Sequence, residues 1–432
     1  MDNNKVIFLI DLDAFFASCS MAKNKLPLNS IVGVASPNSR SIITAASYAA
    51  RNLGIKAGMP VFQAKKISKD LIILPTDFKT YIEFSSKIFD LIYNNFSKKM
   101  EVASIDECYV DVTQEYKKFK SVTNMAEAIK SRIMDELNVS CSIGISTNKF
   151  LAKTAVEFKK PYGTMVILPH QVPQLIWPLE IRKMFGIGIA TAEILNKNNI
   201  FTIGDIANTE ISFLESLLGK NGRALKLNAL GKGDDEVAFQ SNEMKSIGNE
   251  MTLEFPTSNE EELRSIIYWI CKNISKRLKQ RSLQPKTFAI VLRFEKTKGE
   301  IFNKRMHKKT TTRQETIIRH TNNFEEILSV AQSCFDYLWK GESVSLIGVR
   351  SSNLISEIEG FKQIDFENLK SRERKNDLEQ VAFDINFSLN SEKVFTADKL
   401  KSKLDKNISQ SKFLTNDDVH ISNEQVKNKW KK

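Results

Sequence analysis

The chain has 432 residues, which at about 150 residues per domain implies several folded units and excludes a single hydrophobic core. Apolar residues make up 42% and charged residues 26%, close to soluble globular averages, which excludes wholesale disorder and fibrous repeats. With 63 Lys and Arg against 51 Asp and Glu the formal charge is +12, which favours a polyanionic partner such as nucleic acid.

Lys5-Val-Ile-Phe-Leu-Ile10 is a branched apolar run that predicts a buried strand, ended by Asp11. Asp13 is placed to N-cap a helix over 14–22, whose first backbone N–H groups would suit an anion at that strand end. Residues 101–112 predict a second strand with Asp106 and Glu107 at its middle, and adjacent carboxylates in an apolar segment are costly unless a cation neutralises them. Further strands are predicted over 138–146 and 163–168, and helices over 81–97, 124–137 and 148–158, which together suggest an α/β sheet domain. After Pro173 the pattern is helical. Phe185-Gly-Ile-Gly-Ile189 is a glycine turn opening a helix, similar to the hairpin of helix-hairpin-helix modules, where backbone at Gly186 and Gly188 would approach a DNA phosphate. Residues 217–225 look like a weaker copy, and 231–236 read as a linker. Strands return over 245–355, and residues 286–319 hold ten Lys or Arg against three Glu. Alternating cations and threonines over 306–313 place charge on one strand face where a phosphate backbone could run, with Lys296, Lys298, Lys308, Lys309 and Arg313 as candidate DNA contacts. Residues 266–278 read as a helix with a core face and solvated cations opposite. The tail, 356–432, is nearly balanced in charge and predicts an amphipathic helix through Leu378, Val381, Ala382, Ile385 and Leu389 before a polar end.

The five cysteines are scattered, with no CxxC pair and no zinc-like spacing, and read as reduced thiols. The apolar run near the start is too short for a signal segment, and no stretch approaches the roughly 18 apolar residues of a membrane span, so a cytoplasmic protein without a membrane partner is expected.

Asp11 at one strand end and Asp106-Glu107 at another meet the needs of a two-metal site, in which carboxylates bridge two Mg²⁺ about 3.5–4 Å apart and the carbonyl of Leu12 completes one coordination sphere. Phosphatases, nucleases, cyclases and polymerases all use such a site. The competing structural reading takes Asp13 as a helix cap and Asp106 and Glu107 as solvated hairpin residues.

Asp11-Leu-Asp-Ala-Phe-Phe-Ala-Ser18, Thr44-Ala-Ala-Ser-Tyr48-Ala-Ala-Arg51-Asn-Leu-Gly-Ile-Lys-Ala-Gly-Met-Pro60, Ser104-Ile-Asp-Glu-Cys-Tyr-Val-Asp111, Ser146-Thr-Asn-Lys-Phe-Leu-Ala-Lys153 and Lys160-Pro-Tyr-Gly163 are similar, in order and spacing, to the Y family of translesion DNA polymerases, in its DNA polymerase IV (DinB) branch. The likeness spans residues 1–355. It implies an α+β multidomain, right-hand polymerase: a palm with a mixed sheet (1–18 and 78–165), small fingers (19–77), a helix-hairpin-helix thumb (166–235), a DNA-binding little finger (243–355) and a tail (356–432). Carried over residue by residue, Asp11 and Asp106 match ligands shared by two Mg²⁺, and Glu107 matches the catalytic, metal-binding carboxylate nearest the primer 3′-hydroxyl. Tyr48 and Arg51, one helical turn apart, and Lys160 match groups that hold the incoming triphosphate. Phe15 and Phe16 fall at the nucleotide, with Phe16 matching the steric gate that rejects a 2′-hydroxyl and Phe15 turned toward packing. Ile42, Thr44 and Gly58 correspond to the roof of the nascent base pair.

Two positions depart from the family pattern: a glutamate is missing beside Tyr48, and Ser20 stands where a glutamate usually follows; neither is a metal ligand. Gln363-Ile-Asp-Phe366 resembles a shortened sliding-clamp peptide, against a plain surface loop, with Gln363 and Phe366 as its anchors. The function implied is a Mg²⁺-dependent, template-directed, low-fidelity translesion polymerase without a proofreading exonuclease, working as a monomer on primer-template DNA and dNTPs. The alternative is a non-catalytic DNA-binding scaffold on the same fold, which would need neither the carboxylates nor the gate. A two-metal nuclease or cyclase would leave the glycine hairpin and the basic segment without a purpose.

Overall fold

The computed structural model describes residues 5–36, 41–237, 244–295 and 310–357. The chain divides near residue 241 into two units. The first runs β1 (Ile7–Leu12), α1 (Phe15–Lys23), β2 (Val32–Val34), β3 (Ala45–Ala46), α2 (Tyr48–Asn52), α3 (Val61–Ile67), β4 (Ile72–Leu74), α4 (Phe78–Asn95), β5 (Met100–Val102), β6 (Glu107–Asp111), α5 (Val122–Leu137), β7 (Cys141–Ser146), α6 (Lys149–Glu157) and β8 (Thr164–Val166). Five short helices follow: α7 (Val172–Leu175), α8 (Ile189–Lys197), α9 (Ile203–Asn208), α10 (Ile211–Leu218) and α11 (Lys220–Ala229).

The apolar run near the start becomes β1, buried along its length at the centre of a five-stranded sheet ordered β5-β6-β1-β7-β8. The sheet is mixed: β1 is antiparallel to β6 and β7, whereas β7 and β8 are parallel. Strand alternation sends Phe8, Ile10 and Leu12 into the main core with Phe15, Tyr81, Ile88 and Ile129, and sends Ile7 and Leu9 toward Ala152 and Val156 of α6. Helix α6 lies so close to β7 that a Cβ on Gly144 would stand 2.0 Å from the Ala152 carbonyl oxygen, a contact only glycine permits.

The single strand expected over 101–112 is a hairpin instead. Ser104 and Asp106 break it: the Ser104 hydroxyl donates to the Asp106 carboxylate at 2.5 Å, and the N–H groups of Ala103 and Ser104 both donate to the Glu107 carbonyl. Local side-chain bonding of this kind favours a turn over a continuous ladder.

The segment between α1 and α4 carries its own small sheet, β3-β2-β4, and a separate core around Ile43, Ala46, Ala50, Ile55 and Leu71. The later helices pack around Ile176, Leu195, Ile203, Ile206 and Leu214. Gly186, at φ 93°, and Gly188, which caps α8, form the expected glycine turn with exposed Phe185 and Ile189 beside them. Residues 231–236 are not a free linker. Asn148 donates to the Gly231 carbonyl, the Lys149 ammonium lies 2.8 Å from Asp234, and Lys5 lies 3.1 Å from Asp235, because the acidic run finds lysines at the edge of the sheet domain.

The second unit runs β9 (Ser246–Thr257), α12 (Glu260–Gln280), β10 (Leu283–Gln284), β11 (Thr287–Phe294), β12 (Thr310–Thr316), α13 (Phe324–Leu338), β13 (Val344–Ser352) and β14 (Ile355–Ser356). Strands β12-β11-β13-β9 form an antiparallel sheet, and α12 and α13 share a core with one of its faces, which includes Ile267, Ile274, Phe288, Ile290, Phe335 and Ile347. Leu263, Ile267, Ile270, Ile274 and Leu278 are the buried stripe that the helical spacing predicts. Among the described residues no helix is long and apolar enough to cross a membrane.

Candidate active site

Asp11 follows Ile7 and Leu9 on the face of β1 that α6 covers, and the register sets it directly opposite Glu107 of β6. The Leu12 N–H donates to the Asp106 carbonyl at 2.9 Å, which brings the turn before β6 to the same strand end. Three carboxylates, Asp11 and the adjacent pair Asp106-Glu107 that begins 95 residues further along the chain, therefore meet there. Helix α6 and the turn after it answer with cations. The Lys153 ammonium lies 2.5 Å from Glu107 and 3.1 Å from Asp11, and the Lys160 ammonium lies 2.7 Å from Asp11 and 2.9 Å from Glu157.

Burial, and then the charge of Asp11, push the Glu107 carboxyl up to about 7. Burial also raises Asp106, against the hydrogen bond from Ser104. For Lys153 burial acts downward, but Asp11 and Glu107 outweigh it and hold the ammonium well above the ordinary lysine range. The site concentrates negative charge in a place poor in water and neutralises it with two ammonium groups.

With the lysines bridging them, no three acidic, histidine or cysteine side chains among the described residues close around one ion. The donor chemistry nonetheless fits a hard divalent cation: three carboxylates and the Leu12 carbonyl, all oxygen, at a site already built around positive charge.

Ser47 caps α2 through its hydroxyl, which fixes Tyr48 and Arg51 one turn apart. The Arg51 Nε donates to the Ala46 carbonyl at 2.9 Å, and its guanidinium lies 4.8 Å from the centre of the Tyr48 ring. Burial and the charge of Asp13 raise the Tyr48 hydroxyl, while Arg51 and Lys160 lower it, so Tyr48 shares the electrostatic surroundings of the carboxylate site. Phe16 is held on two sides, stacked on Tyr81 at 4.4 Å and edge-on to Phe78 at 5.9 Å. Phe15 is a core residue, 4% exposed, which leaves only its backbone for a nucleotide. Ile42, Thr44 and Gly58 are exposed around the clasp where Ile42 bridges Pro60.

Asp13 does not cap α1. That helix begins at Phe15 after Ala14 at φ 46°, without a side-chain cap, and the Asp13 carboxylate accepts from the Ser142 hydroxyl at 2.8 Å and the Tyr162 N–H at 2.9 Å. Asp13 and Lys153 are the site residues that reading the sequence missed. Lys153 carried a signal, since it lies one helical turn beyond Lys149 on the face that α6 turns to the sheet.

In the second unit the register sets Arg313 opposite Ile290, whose side chain is in the helix-packed core, and the Arg313 guanidinium lies 4.1 Å over the ring of Tyr337 of α13. Strand parity turns Arg313 to the helix side of the sheet. The opposite face carries Thr310, Thr312, Gln314, Arg293 and Arg350, the last paired with Glu250. Lys296, Lys298, Lys308, Lys309, Gln363, Phe366 and the tail helix lie outside the described residues.

The model of the impB/mucB/samB family matches residues 10–157, and that of the same family's C-terminal domain matches residues 244–366. The chain is 34% identical over 415 residues to a DNA polymerase IV of Oceanobacillus iheyensis, covering 95% of this chain and 92% of that one. It is 33% identical over 389 residues to DNA polymerase IV 1 of Bacillus subtilis, covering 89% and 90%. Among solved structures it resembles the Y-family DNA polymerase chimera Dbh-Dpo4(243-245)-Dbh, at TM-score 0.68 and 26% identity, and an insertion ternary complex of Dbh DNA polymerase, at TM-score 0.55 and 26% identity; each match covers 81% of this chain and 99% of the other.

Proposed function

The chain belongs to the Y family of DNA polymerases, in its DNA polymerase IV branch, and from that premise we propose a Mg²⁺-dependent translesion polymerase of low fidelity, without proofreading, that extends a DNA primer with dNTPs. The observation that carries this reading is the meeting of Asp11, Asp106 and Glu107 with Lys153 and Lys160 at one end of β1.

Asp11, Asp106, Glu107 and the Leu12 carbonyl would hold two Mg²⁺. When bound, such ions lower the pKa of the attacking hydroxyl and stabilise charge on the leaving pyrophosphate. The chain's own groups do the rest. Tyr48, Arg51 and Lys160 neutralise and orient the triphosphate in line with the primer 3′-hydroxyl, and Lys153 balances the carboxylates. The Phe16 ring, fixed between Tyr81 and Phe78, cannot yield to a 2′-hydroxyl and so selects deoxynucleotides.

In this reading the mixed sheet and its helices, 1–18 and 78–165, are the palm; 19–77 the fingers; 166–235 the thumb; 243–355 the little finger. The separate cores around Ile55, around Ile203 and around Phe288 support that division. DNA would be gripped by the glycine turn at Gly186 and Gly188 and by the Arg293 face of the second sheet. Primer extension on intact and abasic templates tests the proposal: Mg²⁺-dependent, distributive addition that vanishes in Asp106→Ala is expected. Binding of primer-template without any addition would return the reading to a scaffold.

A further inference from the structure

Tyr162 is 42% exposed and sits at φ 54° in the turn after α6, yet its backbone ends on two buried ionisable side chains. Its N–H donates to Asp13, 1% exposed, at 2.9 Å; its carbonyl accepts from the ammonium of Lys130, 3% exposed, at 3.0 Å. The Asp13 carboxylate is braced by the hydroxyl of Ser142, which the Gly163 N–H also approaches at 3.3 Å. Lys130 is braced by Glu127 at 2.8 Å, and its ammonium lies 4.6 Å from the centre of the Tyr162 ring. Burying two such groups is unfavourable unless each is fully hydrogen-bonded, so the fold retains them for the one residue they share. Two residues before Tyr162 stands Lys160, whose ammonium reaches Asp11.

We propose that Asp13 and Lys130 are positioning residues that grip both ends of the Tyr162 backbone and so fix the turn that aims Lys160 at the incoming triphosphate. This deepens the proposed function and rests on the triphosphate role given there to Lys160. Asp13 stands one residue past the strand that carries Asp11, and Lys130 lies on α5, so the grip ties the nucleotide-binding turn both to the end of that strand and to the helix.

The test is single-nucleotide incorporation by the full chain on primer-template with Mg²⁺, comparing Asp13→Asn, Lys130→Met, Lys130→Arg, Lys160→Ala and the double variant Asp13→Asn/Lys160→Ala. A displaced turn loses ground-state and transition-state contact with the triphosphate alike, so Asp13→Asn and Lys130→Met should raise the dNTP KM about tenfold and change kcat by less than about threefold. Lys130→Arg, which can still donate, should stay near wild type, and Asp13→Asn should add little once Lys160 is gone. If Lys160→Ala raises KM but Asp13→Asn and Lys130→Met do not, or if Asp13→Asn multiplies the Lys160→Ala effect in full, the grip is refuted. If Lys160→Ala leaves KM unchanged, the triphosphate role fails first and the grip with it. Should Asp13→Asn not fold, the Lys130 pair carries the same comparison.

Discussion

Replacing Lys153 by Met removes an ammonium from between two carboxylates while keeping most of its apolar length. The Lys153 side chain is 12% exposed, Asp11 6% and Glu107 23%, so the pair is poorly screened. Breaking a buried ion pair from one side costs about 3–5 kcal/mol. Lys160 remains 2.7 Å from Asp11, which points to the lower end, about 3 kcal/mol. At roughly 2–4 °C per kcal/mol for a unit of this size, the Tm of Lys153→Met in chelator should fall by about 6–12 °C. Divalent ions should then restore more than they add to the wild type. An ion at 100 times its Kd stabilises by about 2.7 kcal/mol, and the variant has one fewer ammonium competing for the same oxygens. Thermal melting in EDTA and across a Mg²⁺ titration reads both effects without turnover. Equal melting of variant and wild type in EDTA, together with equal Mg²⁺ shifts, would refute the view that Lys153 balances the carboxylates.

Gly144→Ala should push α6, and with it Lys153, away from the sheet, because the added Cβ meets the Ala152 carbonyl oxygen at 2.0 Å; nucleotide addition is expected to drop at least tenfold, and an unchanged rate would show that the helix can move without consequence. Phe16→Ala should admit ribonucleotides, read as rNTP incorporation on the same primer, whereas a variant that still rejects them places the gate elsewhere. Arg293→Ala should weaken primer-template binding evenly across sequences and lower the salt slope by about one, while Arg313→Ala, stacked on Tyr337, should leave that slope unchanged; the reverse pattern would mean that the helix-packed side meets DNA. In a pull-down with a sliding clamp, Gln363→Ala/Phe366→Ala should lose retention, and full retention would make that segment a plain surface loop.

What the sequence discloses about this site follows from how far apart the interacting residues lie. Asp11, Asp106 and Glu107 declare themselves by residue type, since carboxylates inside apolar strands need a reason wherever they pair. The role of Asp13 is hidden for the opposite cause: a helix cap is a local pattern, read over three residues, and it was outbid by partners 129 and 149 residues away. Lys153 needs two registers at once, that of β1 against β6 and that of α6 against the sheet, before its ammonium can be placed between Asp11 and Glu107. Arg313 turns on a single parity. Shifting β12 by one residue against β11 would swing it to the open face and carry Thr312 and Gln314 to the helix side, and nothing local to 306–316 decides between the two. The hairpin at 103–106 shows the same limit at short range, where alternation runs on through Ser104 and Asp106 although their side chains close a turn. Acidic chemistry was therefore legible because it is costly anywhere in a fold, whereas the counter-charges that make it tolerable depend on pairings that only the folded chain defines.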